Sequence, residues 1–340
     1  YKRQSSCRSA SRKKSWPKGA ELRRRNTPGK RWDEREKVGY DMTHHSGFAA
    51  LIGRPNVGKS TLMNAMIGEK IAIMSDRPQT TRNRIMGILS TADAQIMFLD
   101  TPGIHKPLHK LGEYMNRQAE QALEQVDVAC FVVDVTEKKG PGEAFILARL
   151  RQAKVPVLLV LNKIDALEDK AQLLHIITTY AGEMPFAAVL PVSALTHEGL
   201  DELQKELVRH LPEGPDLYPE DELTDQPMRA IAKEMIREKV LLHTRDEIPH
   251  AIAVEVDDFK DRPSGTVYIS ATLYVERESQ KGIVIGAKGA LLKKIGQEAR
   301  RDIEGLTGTG VYLDLWVKVR PGWRNKKKAL KEFGYEDERS

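Results

Sequence analysis

The sequence has 340 residues, 40% hydrophobic and 30% charged, which suits two soluble domains and excludes collagen-like, coiled-coil and wholly disordered chains. No apolar run reaches the roughly 20 residues that cross a bilayer, and two cysteines, Cys7 and Cys130, are too few for a disulfide framework. The net charge of +6 is unevenly spread: residues 1–41 hold 14 Lys and Arg against 5 Asp and Glu, residues 42–224 hold 18 against 24, and the remainder 22 against 19.

The basic leader, residues 1–45, contains Arg23-Arg24-Arg25, is rich in Ser and has no apolar periodicity. Such a composition suits an RNA-binding arm or an organelle-targeting segment. It cannot bury enough surface to fold alone, so the expectation is a disordered tail, or a start that belongs at Met42.

Short apolar runs at 48–52, 96–99, 129–133, 157–161 and 187–192 read as buried strands, with helical spacing at 114–125 and 142–152. Strands alternating with helices predict an α/β domain over residues 46–212 with a mostly parallel sheet, whose ligands gather at the carboxyl ends of the strands.

Those strand ends carry the chemistry. Gly53-Arg54-Pro55-Asn56-Val57-Gly58-Lys59-Ser60, followed by Thr61, fits G-x-x-x-x-G-K-[ST] at every fixed position. Its backbone N–H groups can cradle a β-phosphate, Lys59 can sit beside the β and γ oxygens, and Ser60 can offer a hydroxyl to Mg²⁺. After the next predicted strand, Asp100-Thr101-Pro102-Gly103 offers a carboxylate for Mg²⁺ through water and a glycine amide for a γ-phosphate. Alone, such a tetrapeptide is a common turn; its place one strand after the phosphate loop favours the functional reading. Asn162-Lys163-Ile164-Asp165 follows the strand at 157–161. The Asp165 carboxylate can accept hydrogen bonds from guanine N1–H and its exocyclic amine, whereas adenine presents neither donor there. Ser193-Ala194-Leu195 closes the series.

A Pro-rich acidic stretch over 213–227 reads as a stiff linker. Beyond it, 228–242 and 290–304 have helical spacing and 251–256, 267–275 and 311–319 alternate as strands, an α-β-β-α-β order. Gly286-Ala287-Lys288-Gly289 follows the apolar run Ile283-Val284-Ile285, and six basic residues face one acid between Lys281 and Arg301. This arrangement resembles a type II KH domain over 228–330, in which a G-x-x-G loop lets an RNA backbone approach beside an apolar groove. Its candidate RNA contacts are Ile283, Ile285, Gly286, Ala287, Lys288, Gly289, Lys293, Lys294, Arg320 and Arg324. Seven basic residues lie between Lys318 and Lys331, and Trp316 and Trp323 nearby are candidates for stacking, with a core-facing tryptophan as the alternative. Residues 331–340 read as a tail.

With four nucleotide signatures in order and this domain after them, the chain from residue 42 onward resembles translation-factor-class GTPases, and within them the Era family of bacterial ribosome-assembly GTPases. The resemblance implies a GTPase that turns GTP into GDP and phosphate with Mg²⁺, binds the 3′ end of 16S rRNA and assists maturation of the 30S subunit. It implies a cytoplasmic monomer, with peripheral association with the inner face of the cell membrane, although no lipid-binding helix is identifiable. It also implies that residues 75–84, with Pro78-Gln79-Thr80-Thr81-Arg82, form the first switch, Thr81 closing over Mg²⁺ and the γ-phosphate, with Thr80 as the alternative. Lys59, Thr81, Asp100 and Gly103 are then the catalytic candidates. Ile104 stands where Ras-like relatives carry a water-orienting Gln. In this group a K⁺ ion held partly by a phosphate-loop Asn offsets phosphate charge, and Asn56 matches that position. The competing reading is a membrane-associated signalling GTPase that acts on protein partners. His44, His45, His105 and His109 read as loop residues, not as metal ligands.

Overall fold

The computed structural model describes residues 44–77, 79–169 and 171–336. Most of the expected leader with Cys7 and Met42, Pro78 of the first-switch motif, and residues 337–340 of the expected tail lie outside the described residues.

The first sheet is built from β1 (His45–Ile52), β2 (Ile85–Ser90), β3 (Ala94–Asp100), β4 (Val128–Asp134), β5 (Val157–Asn162) and β6 (Ala188–Pro191), in the order β2-β3-β1-β4-β5-β6. Only β2 is antiparallel. The period-2 geometry of β1 sends Ala49 and Leu51 to one face and Ala50 and Ile52 to the other. Helices α1 (Lys59–Ile67) and α5 (Leu200–His210) cover the first face; α2 (Lys110–Leu123), α3 (Pro141–Leu150) and α4 (Ala171–Ala181) cover the second. This two-sided burial is why the strands read as continuous apolar runs. Strand β2 was not predicted: it lies at the sheet edge, and Gly87 interrupts its apolar pattern.

The predicted linker is a strap rather than a free tether. Ile88 N–H donates to the Leu223 carbonyl at 2.8 Å and the Thr224 hydroxyl to the Met86 carbonyl at 2.5 Å, so the end of the strap occupies the hydrogen-bonding edge of β2. Fully buried Gln95 pins its middle, accepting from Leu217 and Tyr218 N–H at 2.7 and 2.9 Å and donating to the Tyr218 carbonyl at 2.8 Å. Gln95→Leu keeps the volume but strands these backbone groups. It is expected to cost about 2–4 kcal/mol in urea unfolding, and a change below 0.5 kcal/mol, roughly the effect of a surface substitution, would refute the pinning role.

The second domain comprises α6 (Met228–His243), α7 (Ile248–Ala251), β7 (Ala253–Asp261), β8 (Val267–Val275), α8 (Glu278–Ile285), α9 (Ala290–Thr307), β9 (Val311–Val319) and α10 (Lys327–Glu332). Its sheet order is β7-β8-β9, with β7–β8 antiparallel and β8–β9 parallel. The predicted α-β-β-α-β order is corrected by α8: Ile283-Val284-Ile285 ends a helix that buries Gln280 and Val284, one turn apart. A run of three aliphatics hides that 3.6-residue period.

The expected tail is also corrected up to residue 336. Phe333 and Tyr335 are buried with Trp323 and Leu330 against Leu111, Tyr114 and Met115 of α2, an apolar cluster that joins the two domains. Trp323 is therefore core and donates its indole N–H to the Ala251 carbonyl at 2.8 Å, whereas Trp316 is 58% exposed. Among the described residues no helix is long and apolar enough to cross a membrane.

Candidate functional site

The loop between β1 and α1 closes around a cavity of about 470 Å³ lined by Asn56, Gly58, Lys59, Ser60, Thr61, Thr81, Gly103 and Lys163. Lys59, at the start of α1, is buried and donates its ammonium to the carbonyls of Gly53 and Arg54 at 3.2 and 2.8 Å. Burial pulls its pKa down to about 8, partly opposed by the Asp100 carboxylate. Asp100, at the end of β3, is held above the ordinary carboxylate range by the same burial, opposed by Lys59, Ser60 and Thr81.

Ser60 and Thr81 converge on Asp100. Their hydroxyls donate to Asp100 Oδ2 at 2.6 and 3.0 Å and lie 2.9 Å from each other, while Thr80 turns its hydroxyl to the Arg77 carbonyl at 2.5 Å. Asp100 Oδ1 is buried without a partner among the described residues. Two hydroxyls and a carboxylate, one of whose oxygens is orphaned, form a hard, all-oxygen donor set that fits Mg²⁺ with intervening water. Gly103 lies so close to the phosphate loop that a Cβ there would meet Pro55 N at 2.5 Å, so only glycine lets its amide face the cavity.

At the far end of the site, fully buried Asn162 splices three loops, donating to the Val57 carbonyl at 2.9 Å and accepting from Ala194 N–H at 3.1 Å. Lys163 donates to the Asn56 carbonyl at 3.0 Å and pairs with Asp134 at 2.5 Å. Ser193 donates to Asp165 Oδ1 at 2.5 Å, which aims the carboxylate from β6's loop. Asp134 is a site residue that the sequence reading missed. Its signal was present, because it too ends a strand of the parallel sheet.

Not every predicted contact faces the cavity. Val57 and Pro102 are buried, and Thr101 spends its hydroxyl on the Leu51 carbonyl at 2.7 Å, so these three shape the loops. Leu195 is exposed. Ile104 is buried in the apolar layer and can neither hold nor polarise water. His105 engages the Gly103 carbonyl at 3.0 Å and Gln79 at 3.3 Å. Among the described residues no group of three or more His, Cys, Asp and Glu could hold a metal.

In the second domain the Gly286–Gly289 turn joins α8 to α9. Gly286 and Gly289 have φ of +73° and +80°, and a Cβ on Gly286 would meet Leu291 Cβ at 2.7 Å, whereas Gly289 faces open space. Ile283, Ala287, Lys288, Lys293 and Lys294 are exposed and Ile285 is half-buried, giving an apolar strip beside basic side chains. Arg320 and Arg324 instead pair with Glu332 and Glu276, and Arg324 is only 15% exposed. Both serve the C-terminal packing before any ligand.

Curated proteins of Ruminiclostridium cellulolyticum and Lacticaseibacillus paracasei, both named GTPase Era, are 51% and 53% identical over 294 and 292 residues; each alignment covers 86% of this chain, and 98% and 97% of those proteins. The chain belongs to the GTPase Era family. It is a P-loop GTPase domain followed by a KH domain: residues 48–163 match the family described as 50S ribosome-binding GTPase, and residues 247–324 match the KH domain. Crystal structures of Era agree. One, in complex with MgGDPNP and nucleotides 1506–1542 of 16S ribosomal RNA, is 41% identical with a TM-score of 0.84, covering 86% of this chain and 100% of that one. A tyrosine variant of Aquifex aeolicus Era bound to GDP·AlF₄⁻ is also 41% identical, with a TM-score of 0.83 and the same coverage.

Proposed function

We propose that this Era-family chain is a GTP-driven switch, with residues 46–212 as the GTPase domain and 228–330 as the KH domain. It captures the 3′ end of 16S rRNA and assists maturation of the small ribosomal subunit. The observation that carries the nucleotide reading is the convergence of Ser60, Thr81 and Asp100 beside Lys59, with Asp165 aimed by Ser193 at the other end of the site.

Backbone amides of the 53–60 loop hold the β-phosphate, and Lys59 neutralises charge on the β and γ oxygens. Ser60, Thr81 and Asp100 would hold Mg²⁺, partly through water, and the ion, when bound, would supply screening of the phosphate charge that resists attack. The Gly103 amide donates to the γ-phosphate. Asp165 selects guanine, while Asn162 and Lys163 keep its pocket assembled. With Ile104 buried, no side chain at that position orients the attacking water, so intrinsic hydrolysis is slow and a partner accelerates it.

Asn56 donates its amide to the Asp76 carbonyl at 2.6 Å, which leaves the side-chain oxygen as a ligand for K⁺ beside the phosphates. Replacing Na⁺ by K⁺ at constant ionic strength is expected to raise the hydrolysis rate about tenfold, the effect of about 1.4 kcal/mol at the transition state. Equal rates in the two salts would remove K⁺ from the mechanism.

The exposed apolar strip of α8, the glycine turn and the lysines of α9 make the RNA groove. Gly286→Asp and Gly289→Asp should each weaken binding of an oligonucleotide ending in the 16S 3′ sequence by about tenfold or more, through like-charge contact with its backbone. GDP affinity should stay unchanged. Gly289→Asp is the cleaner variant, because its side chain meets open space. Binding of that RNA by both variants at the original affinity would favour the signalling reading.

A further inference from the structure

Met74, Thr80 and Arg82 are each held by the second domain. Glu238 of α6, 1% exposed, accepts from Met74 N–H at 2.8 Å through Oε1 and from Lys70 Nζ at 2.6 Å through Oε2. Arg237 of α6, fully buried and paired with Glu234, donates to the Thr80 carbonyl. Arg82 runs the other way. Its guanidinium enters the second domain and donates to the carbonyls of Ile252 at 2.6 Å, Pro249 at 3.1 Å and His250 at 3.3 Å.

Arg82 is an expensive way to fill that space. It is 1% exposed, its Nε has no partner among the described residues, and its hydrogen bonds go to backbone carbonyls and, at 3.4 Å, to the Tyr335 hydroxyl. Trp323 and Tyr335 offer ring faces at 5.7 and 5.9 Å. Replacing a buried cation that has no hydrogen-bonded carboxylate by a hydrocarbon of equal volume is often neutral or stabilising, so the use of Arg82 here points to register rather than to stability. Three carbonyls of the second domain converge on it. Between the Thr80 carbonyl and the Arg82 guanidinium sits Thr81, whose hydroxyl lies on Ser60 and Asp100.

We propose that the second domain clamps the first switch from within the chain, and that Arg82 and Arg237 are positioning residues that hold Thr81 over the metal site. The inference rests on the GTP-hydrolysing reading above and deepens it. Thr81 is placed for the γ-phosphate state only while α6, α7 and the C-terminal segment are docked. Whatever moves the second domain therefore acts on hydrolysis through two arginines rather than through the phosphate loop.

The test compares the full chain with Arg82→Gln, Arg82→Lys, Arg237→Gln and the Arg82→Gln/Arg237→Gln double variant. The readouts are kcat and KM for GTP, GDP affinity by fluorescence, and the thermal transition. Arg82→Gln should lower kcat about tenfold with GDP affinity within about twofold, because GDP lacks the phosphate that Thr81 serves. Arg82→Lys should recover part of the loss, and the double variant should lose about as much as the more impaired single variant and not the product of the two losses, since both arginines hold one element. A kcat within about twofold of wild type for Arg82→Gln, at unchanged GDP affinity, overturns the clamp.

Should the variants fail to fold, amide hydrogen exchange on the unaltered chain decides. On replacing GDP with a non-hydrolysable GTP analogue, residues 74–82 and 248–252 are expected to gain protection together; a change confined to 74–82 overturns the clamp. An unaltered chain that hydrolyses no GTP overturns the proposed function itself and the clamp with it, and is recognised because the loss precedes any mutation.

Discussion

Asp165→Ala is expected to raise the dissociation constant for GTP by about 10²–10⁴-fold, from two lost hydrogen bonds to a charged acceptor at about 1.5–3 kcal/mol each. The loss should be selective. ATP, which presents no donor pair to the carboxylate, should bind the variant no worse than it binds the original chain, so the guanine-over-adenine ratio collapses. Ser193 fixes the carboxylate at 2.5 Å, and Ser193→Ala should reproduce a smaller part of the same loss. Competition between fluorescent GDP and unlabelled GTP or ATP measures both. Equal competition by GTP and ATP on the unaltered chain would remove the base-selective role of Asp165.

Lys59→Ala should lower GTP hydrolysis by about 10²–10³-fold, the usual cost of deleting one preorganised donor aimed at developing charge. The fold should not suffer, because Lys59 is a buried cation whose pKa is drawn down to about 8 by desolvation. In the free chain Lys59 is protonated below about pH 8 in both folded and unfolded states, whereas between about 8 and the ordinary 10.5 only the unfolded chain keeps the proton. Stability of the free chain therefore rises with pH across that window. A bound triphosphate restores the ammonium, so binding takes up a proton above about pH 8, and affinity falls as pH rises through it. Titration calorimetry at about pH 9, inside that window, in two buffers of different ionisation enthalpy detects the uptake. Identical binding enthalpies in both buffers, or full activity of Lys59→Ala, would contradict this role.

How much of the site could be read beforehand follows from how its parts are encoded. The phosphate loop, Asp100, Asn162 and Asp165 are fixed-spacing motifs at strand ends, where backbone direction alone decides what a side chain meets. Asp134 and Arg82 have no such spacing: one acts through Lys163 from a neighbouring strand, the other through carbonyls about 170 residues away. The α8 helix and the strand β2 escaped for a related reason, since three adjacent aliphatics, or a glycine within a short edge strand, carry no decisive period.

By itself the sequence determined the parallel α/β sheet, the order of nucleotide-binding turns, the base preference and the glycine turn of the second domain, because each depends on neighbours within a few residues. Tertiary structure alone decided that Trp323 is core and Trp316 is surface, that residues 213–227 run as a strap on the sheet edge, and that the second domain hydrogen-bonds to Met74, Thr80 and Arg82. Those outcomes depend on which distant groups share a dry interface, where an unpaired carbonyl or guanidinium costs more than any local propensity can supply.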